Sequence, residues 1–432
     1  MLLNRSRTFL AALTVAVVTL LSGPAAQVPA PPDPSDAFFD DTVVHDIRLA
    51  INGRDLTSLH VNFLANDYYP VNYVWRDKAL QGVGIRSRGT GSRNDLKPGL
   101  RIDFDRWALD QKFLGLKSVI LRNNTQDATG LRERLSMVFF RRMGLAAPRE
   151  AHARLFFNND YGGLYTIVES VDKVFLKKNY GEDSSNLYEF HFDNSVGHIP
   201  FIFKYLGSDA NLYVPTPFKP ETKEHDTQPQ YIERLIWTID QAGDAAWRQS
   251  MAEYLDLPKF IRHLAIENFL AEEDGITGDY GPNNFYFYRY ENKNLFQFIP
   301  WDKSNTFWEA PSPNYSIFRN IEDGPLDHRN RLVKRALGYT DLWTLYLDTL
   351  IECANSASTL VVSAPPVTPA LTWLENEVVR DYTQIREASL ADPVKPFTSE
   401  QFEAAVEDLK TFARLRADAV RAQVAAARLR TP

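Results

Sequence analysis

One cysteine, Cys353, in 432 residues rules out an internal disulfide and any metal site built from several thiolates. The eight histidines are scattered without the paired spacing of a zinc centre. No G-x-S-x-G elbow, H-E-x-x-H helix or G-x-x-x-x-G-K-[ST] loop occurs, so the corresponding hydrolase, metalloprotease and P-loop chemistries lack their residues. Basic residues are not in excess: 48 Lys and Arg against 55 Asp and Glu give a formal charge of −7, which offers no net attraction to nucleic acid. The apolar stretch from Phe9 to Leu21 is shorter than the roughly 20 residues a bilayer-spanning helix needs, so no stable membrane span is expected. Internal repeats are absent too.

What is present begins with Arg5 and Arg7, then that apolar run, then small residues and proline. This is the pattern of a secretory leader, with cleavage near Ala26 or Ala30. With 1–26 as the leader, the mature chain is expected to be secreted, periplasmic or held in the cell envelope. Residues 27–41, rich in proline and acidic side chains, read as a solvated linker. The remainder, in a chain 44% hydrophobic and 12% aromatic, can bury a large core. From 42 to 205 short apolar segments dominate: "VGIRSR", "GLRIDF", "SVILRN", "ARLFFN" and "GLYTIVE" read as strands, with one helix at about 128–143 stopped by Gly144. From 206 to 432 helices take over, including "LDLPKFIRHLAIENFLAEED" and a last helix opened by Thr398 and Gln401 in capping-box positions. The expected fold class is α+β, a strand-rich N-lobe and a helix-rich C-lobe with a cleft between them.

Within the helical half lies one polar-ended hairpin, "DYGPNNFYFYRYENKNLFQFIPWD", residues 279–302. Its aromatics either stack on a bound sugar or base, or pack on both faces of the hairpin; core packing is the expected role. Phosphoryl transfer needs a carboxylate to position the acceptor hydroxyl and oxygen ligands for Mg²⁺ at the phosphates. Asp279 and Asn284 are five positions apart, as are the aspartate and asparagine of the protein-kinase catalytic loop. Asp302, after the second strand, stands where a metal-binding aspartate follows a hairpin.

In order along the chain come "GVGIRSRGTGS", "LKPGLRIDFDR", "DQKFLGLKSVILRNNTQD", "LRERL", "RRMGLAAPREAHARLFFNNDYGGLYTIVESVDKVFL", "NLY" and the hairpin ending in "FIPWD". In these blocks, from about Val83 to Phe307, the chain resembles the CotH-type kinases, atypical phosphotransferases distantly like protein kinases. The resemblance implies a bilobal, atypical protein-kinase-like fold that transfers the γ-phosphate of ATP to Ser or Thr of a protein substrate, with Mg²⁺, or Mn²⁺ in its place. It matches Asp279 to the catalytic aspartate, Asn284 to the metal-associated asparagine, and Asp302 to the first aspartate of a Trp-Asp-x-Asp motif. The chain departs from that motif at Ser304, which removes a carboxylate suited to a second metal or to orienting Asp302. Asp274 is the alternative catalytic carboxylate, or else a helix-end cap.

In the front half, "RSRGTGS" joins Arg88 to glycines and hydroxyls, a composition suited to offering backbone N–H groups to phosphate, or simply to a β-turn. Arg101, on the polar face of "LRIDF", reaches toward phosphate from beneath that turn; Lys97 is a weaker substitute. Glu169 closes an apolar strand and needs a partner if buried. It either pairs with Arg101 or Arg88, as the lysine–glutamate pair of kinases does, or caps the next helix. Arg122, Asn123 and Asp127 either meet ligand or, for Asp127, cap the helix that follows, which is the favoured reading. Two other functions stay open: nucleotidyl transfer from the same site, and a non-catalytic envelope or surface binding protein, which Ser304 favours.

Overall fold

The computed structural model describes residues 33–191, 201–308, 310, 312–323, 325, 329–362 and 369–430. The leader and residues 27–32 of the expected linker lie outside the described residues.

Seven strands of the front half close into a barrel. β1 (His45–Ile51), β2 (Tyr69–Trp75), β3 (Lys78–Ser87), β4 (Leu100–Asp103), β5 (Ser118–Arg122), β6 (Glu150–Phe157) and β7 (Asp160–Glu169) run in the order β1-β2-β3-β4-β5-β7-β6. A parallel pairing of β1 with β6 shuts the ring, while the other neighbours are antiparallel. The strands expected from sequence all fall in it; closure was not foreseen, because it joins the first strand to one a hundred residues on. Alternation decides which side faces in: Leu100 and Ile102 of β4 are fully buried, and Arg101 and Asp103 face outward. Helix α1 (Gly53–Val61) lies outside β2, and α2 (Arg132–Arg142) fills the expected helical position between β5 and β6. Gly144 ends α2 in the left-handed region, φ 81°.

A second sheet carries the hairpin. After α3 (Lys173–Tyr180) come β8 (Leu187–Phe190) and β9 (Phe218–Pro220); β10 (Phe285–Arg289) and β11 (Phe296–Pro300) complete the order β11-β10-β8-β9, all antiparallel. β8 belongs by sequence to the 42–205 segment, yet it hydrogen-bonds to β10 of the hairpin. The helices are α4 (Pro229–Gln241), α5 (Asp244–Met251), α6 (Leu257–Phe269), which packs on β11, α7 (Arg331–Leu337), α8 (Thr340–Ala357), α9 (Trp373–Leu390), which packs on β7, and α10 (Ser399–Arg428), the last two opened by capping boxes.

Both faces of the hairpin are buried, each in a different core. Phe285, Phe287, Phe296 and Phe298 join the core of the helices, whereas Tyr286, Tyr288, Ile299 and Trp301 pack with Ile120, Val168 and Leu187 between barrel and sheet. A two-sided strand pair of this kind cannot slip by one residue without exchanging its two cores, so the positions of its end residues are fixed.

The linker expectation is corrected for residues 33–41. Phe38 is fully buried in the barrel core, edge-on to Trp75 and Phe113 at centroid distances of 5.4 and 5.0 Å. Asp41 pairs with buried Arg134 of α2 at 2.5 Å. The acidic, proline-rich composition hid two buried rings, Phe38 and its neighbour Phe39. Phe38→Ala should therefore destabilise the protein by about 3–5 kcal/mol in denaturant unfolding, the usual cost of removing a buried ring. A cost within experimental error of zero would return this segment to the role of a linker.

Candidate active site

The hairpin ends where its two flanking residues turn sharply. Asn284 and Asp302 both occupy the left-handed region, φ 58° and 49°, and Trp301 N–H donates to the Asn284 carbonyl at 3.2 Å, holding the two ends together. Left-handed backbone is unusual for residues other than glycine and persists where surrounding contacts impose it. Asp274, in the loop after α6, supplies several of those contacts. Asn284 Nδ2 donates to the Asp274 carboxylate at 2.9 Å and to its carbonyl at 3.0 Å, and Asn283 Nδ2 reaches the same carboxylate at 3.0 Å. Turning the Asn284 amide over would aim its oxygen at that carboxylate, so chemistry fixes the orientation. Asn284 Oδ1 is left with no hydrogen-bond donor among the described residues. Burial raises the proton affinity of Asp274, and the charge of Asp302 adds to the effect.

Asp302 is tied to the barrel. Arg122, the last residue of β5, donates Nη1 to Asp302 Oδ2 at 2.8 Å and Nη2 to Glu133 Oε1 at 3.0 Å, with Nε 2.9 Å from Glu133 Oε2. Glu133 lies in the first turn of α2, where burial pushes its carboxyl up to about 7 against the pull of Arg122. Ser304 Oγ donates to the other Asp302 oxygen at 3.3 Å. Trp301 beside Asp302 carries two guanidinium groups over its ring, Arg122 at 5.2 Å and Arg88 at 5.4 Å, and Arg88 also lies 3.6 Å from Glu189 of β8. The structure thus brings together Arg88, Asn284 and Asp302 of the expected site residues, and adds Asp274, Arg122 and Glu133. The Arg122–Glu133 pair is the one sequence reasoning missed. Its signal was an arginine closing a strand with a glutamate in the next helix's first turn.

The other expected residues have other partners. Asp279 takes a fork from Arg319, at 2.8 and 2.5 Å, and a hydrogen bond from Asn320 Nδ2 at 2.8 Å. Glu169 pairs with neither Arg101 nor Arg88: Arg149 holds it, at 2.5 and 3.0 Å, together with the Arg149 N–H at 3.0 Å. Nor does it cap α3, a role taken by Asp172. The partner lies directly beside Glu169, just before β6, the antiparallel hairpin neighbour of β7, and the Glu169 N–H donates to the Arg149 carbonyl at 2.9 Å. Arg101 pairs with Asp103 at 2.9 Å and borders a polar cavity of about 860 Å³, with Ser118, Asp172, Lys173 and Glu221 also on its wall. A second cavity, about 550 Å³, lies between β6 and α9; neither is lined by Asp274, Asn284 or Asp302. Lys97 is buried against Asp392 at 2.6 Å, and Asp127 accepts from the Arg132 N–H at 2.9 Å, bonding the start of α2 as a cap does.

Among the described residues no three His, Cys, Asp or Glu side chains converge into a metal cage. Mg²⁺ does not require one, since it is commonly held by one or two carboxylates together with substrate phosphates. The residues present fit that mode: the open Asn284 Oδ1 and the Asp302 carboxylate are hard oxygen donors at one hairpin end.

Beneath them, Glu272 is 2% exposed with one carboxylate oxygen lacking any hydrogen bond among the described residues, and burial pushes its carboxyl up to about 8. Between its ordinary 4.5 and about 8 the folded chain keeps a proton that the unfolded chain has released, so stability falls as pH rises through that window. Unfolding free energies measured from about pH 5 to 8 should decline less in Glu272→Gln than in the parent. Parallel declines would contradict a neutral Glu272 in the fold.

The CotH kinase protein family matches residues 85–420. The inner spore coat protein H of Bacillus subtilis is 24% identical over 361 residues, covering 82% of this chain and 91% of that protein. Spore coat protein homolog 1 of Rhizopus delemar is 22% identical over 255 residues, covering 56% of this chain and 39% of that protein. A crystal structure of the Helicobacter pylori proinflammatory kinase CtkA overlaps 79% of this chain and 94% of its own at 11% identity, but with a TM-score of 0.30, too low to bear on the fold. A match across most of the barrel, the hairpin and the helices places this chain in the CotH kinase protein family.

Proposed function

We propose that the chain is a kinase-like phosphotransferase of the CotH type, moving the γ-phosphate of ATP to a Ser or Thr hydroxyl of a protein outside the cytoplasm. The barrel and the helical part act as two lobes, and the nucleotide lies where the barrel meets the hairpin. The observation that carries this reading is the cluster of Asp274, Asn284 and Asp302 at one hairpin end, bound to the barrel through Arg122.

Each residue's part follows from its surroundings. Asn284 Oδ1 and Asp302 hold Mg²⁺, or Mn²⁺, which when bound offsets phosphate charge. Arg122 and Arg88 supply fixed positive charge beside them, and burial of Arg122 makes that charge stronger than it would be in water. The backbone N–H groups of Gly89, Thr90, Gly91 and Ser92 donate to no described residue, while the Ser92 carbonyl is tied down by Asn123 at 2.8 Å. They are donors for a phosphate oxygen. Asp274 orients the acceptor hydroxyl and takes its proton, because it shares the Asn284 amide and its raised proton affinity suits a base. This moves the catalytic role from Asp279, whose carboxylate the Arg319 fork already occupies. Arg101, at the polar cavity, contacts the nucleoside end, and Glu169 keeps a structural part. Ser304 supplies an orienting hydrogen bond to Asp302 where the usual carboxylate would stand, which supports an enzyme over a binding protein.

Incubation with γ-labelled and α-labelled ATP and divalent metal tests this. Label should pass from the γ position only, and Asp274→Asn should slow transfer on the order of 10²–10⁴-fold with nucleotide binding nearly intact. Asp302→Asn should weaken metal-dependent nucleotide binding as well as transfer, and Asp279→Asn should retain more activity than Asp274→Asn. Transfer of the α label would identify a nucleotidyltransferase. Metal-dependent ATP binding with no transfer of either label would identify a binding protein.

A further inference from the structure

Lys303 stands between Asp302 and Ser304, yet its side chain turns inward, away from them. It is 0% exposed, and its Nζ lies 2.6 Å from Glu267 Oε1 and 3.0 Å from the Asn284 carbonyl, to which it donates. Glu267, in the last turn of α6, is 2% exposed; its other oxygen accepts the Ile276 N–H at 2.8 Å, and His263 faces it at 3.2 Å. Burial alone would raise the Glu267 carboxyl, but the Lys303 charge and His263 hold it down at about 2. Gly275 packs directly on this carboxylate: a Cβ there would come within 2.7 Å of Oε2.

One buried ion pair therefore touches three parts of the candidate site: the loop that carries Asp274, the carbonyl of Asn284, and the backbone beside Asp302. Net stability is a poor reason for such a pair, since well-packed apolar residues of similar volume usually serve a fold as well or better. Removing one partner is different, because it strands the other charge. What apolar substitutes cannot supply is a donor for the Asn284 carbonyl and an acceptor for the Ile276 N–H. Those two bonds help impose the left-handed turn of Asn284 and the position of the Asp274 loop.

We propose that the Lys303–Glu267 pair is a positioning device that holds Asn284 and Asp302 at the spacing a divalent cation requires, and that its contribution to global stability is small. The inference rests on the assignment of Asn284 and Asp302 to metal.

The test uses Mn²⁺ alone as the probe, followed by electron paramagnetic resonance of the full chain without nucleotide, beside thermal melting. In the double variant Lys303→Met/Glu267→Leu, Mn²⁺ affinity should fall at least about tenfold while the melting temperature stays within a few degrees of the parent. A second double variant, Lys303→Met/Glu267→Gln, should lose Mn²⁺ affinity likewise, because no side-chain donor then reaches the Asn284 carbonyl while the amide oxygen at 267 still accepts the Ile276 N–H, and it covers the case in which the apolar pair fails to fold. Parent-like Mn²⁺ affinity in a folded double variant overturns the positioning role and leaves the metal assignment standing. A parent protein that binds no Mn²⁺ overturns the metal assignment, and this inference with it. Loss of folding in both double variants would show the pair to be structural, against the proposal.

Discussion

Arg122 belongs at once to the barrel, to α2 and to the end of the hairpin, and the geometry of the candidate site depends on that shared guanidinium. It closes β5, pairs with Glu133 and reaches Asp302 at 2.8 Å. Burying such a charge is costly unless it is paired, and here two carboxylates take its two Nη groups. The alternatives to this arrangement leave an unpaired ion inside the protein, so barrel, helix and hairpin are held at one mutual position. Glu150 lies behind, with both oxygens unpartnered among the described residues; burial and the neighbouring Glu133 raise its proton affinity well above the usual range.

The hairpin carries this fixed position to its own polar ends. Its faces enter two cores, which leaves no freedom of register, and its ends consequently present Asn284 and Asp302 together. The polar residues at those ends do more than terminate strands. Asp274 takes the amides of both asparagines in the doublet, which leaves one amide oxygen open beside the Asp302 carboxylate. In the proposed reading, a base carboxylate and a metal-binding pair then share one small region without sharing the same atoms.

Much of this was legible in the sequence, for local reasons. Alternating aromatics in "NNFYFYRY" pointed to a strand buried on both sides, and Thr398 with Gln401 marked the start of α10. Ordered blocks of sequence pointed to the family. What could not be read was proximity across the chain. Glu169 needed a partner, as its place in an apolar strand required, but the register that sets Arg149 beside it in the β6–β7 hairpin was not readable from either strand. The spacing of Asp279 to Asn284 imitated a kinase loop, whereas the carboxylate that reaches Asn284 comes from ten positions upstream, because the intervening loop folds back. Phe38 was hidden by composition, since one buried ring outweighs several acidic neighbours that remain at the surface.

The central claim is that the hairpin end formed by Asn284 and Asp302 holds the metal beside Arg122. A crystal structure of the protein with Mn²⁺ and a non-hydrolysable ATP analogue, with the manganese located by anomalous scattering, tests it most directly. The account predicts a peak within coordination distance of Asn284 Oδ1 and an Asp302 oxygen, with the phosphates on the Arg88 and Arg122 side. A peak against Asp279, or a nucleotide bound in the cavity between β6 and α9, would contradict it.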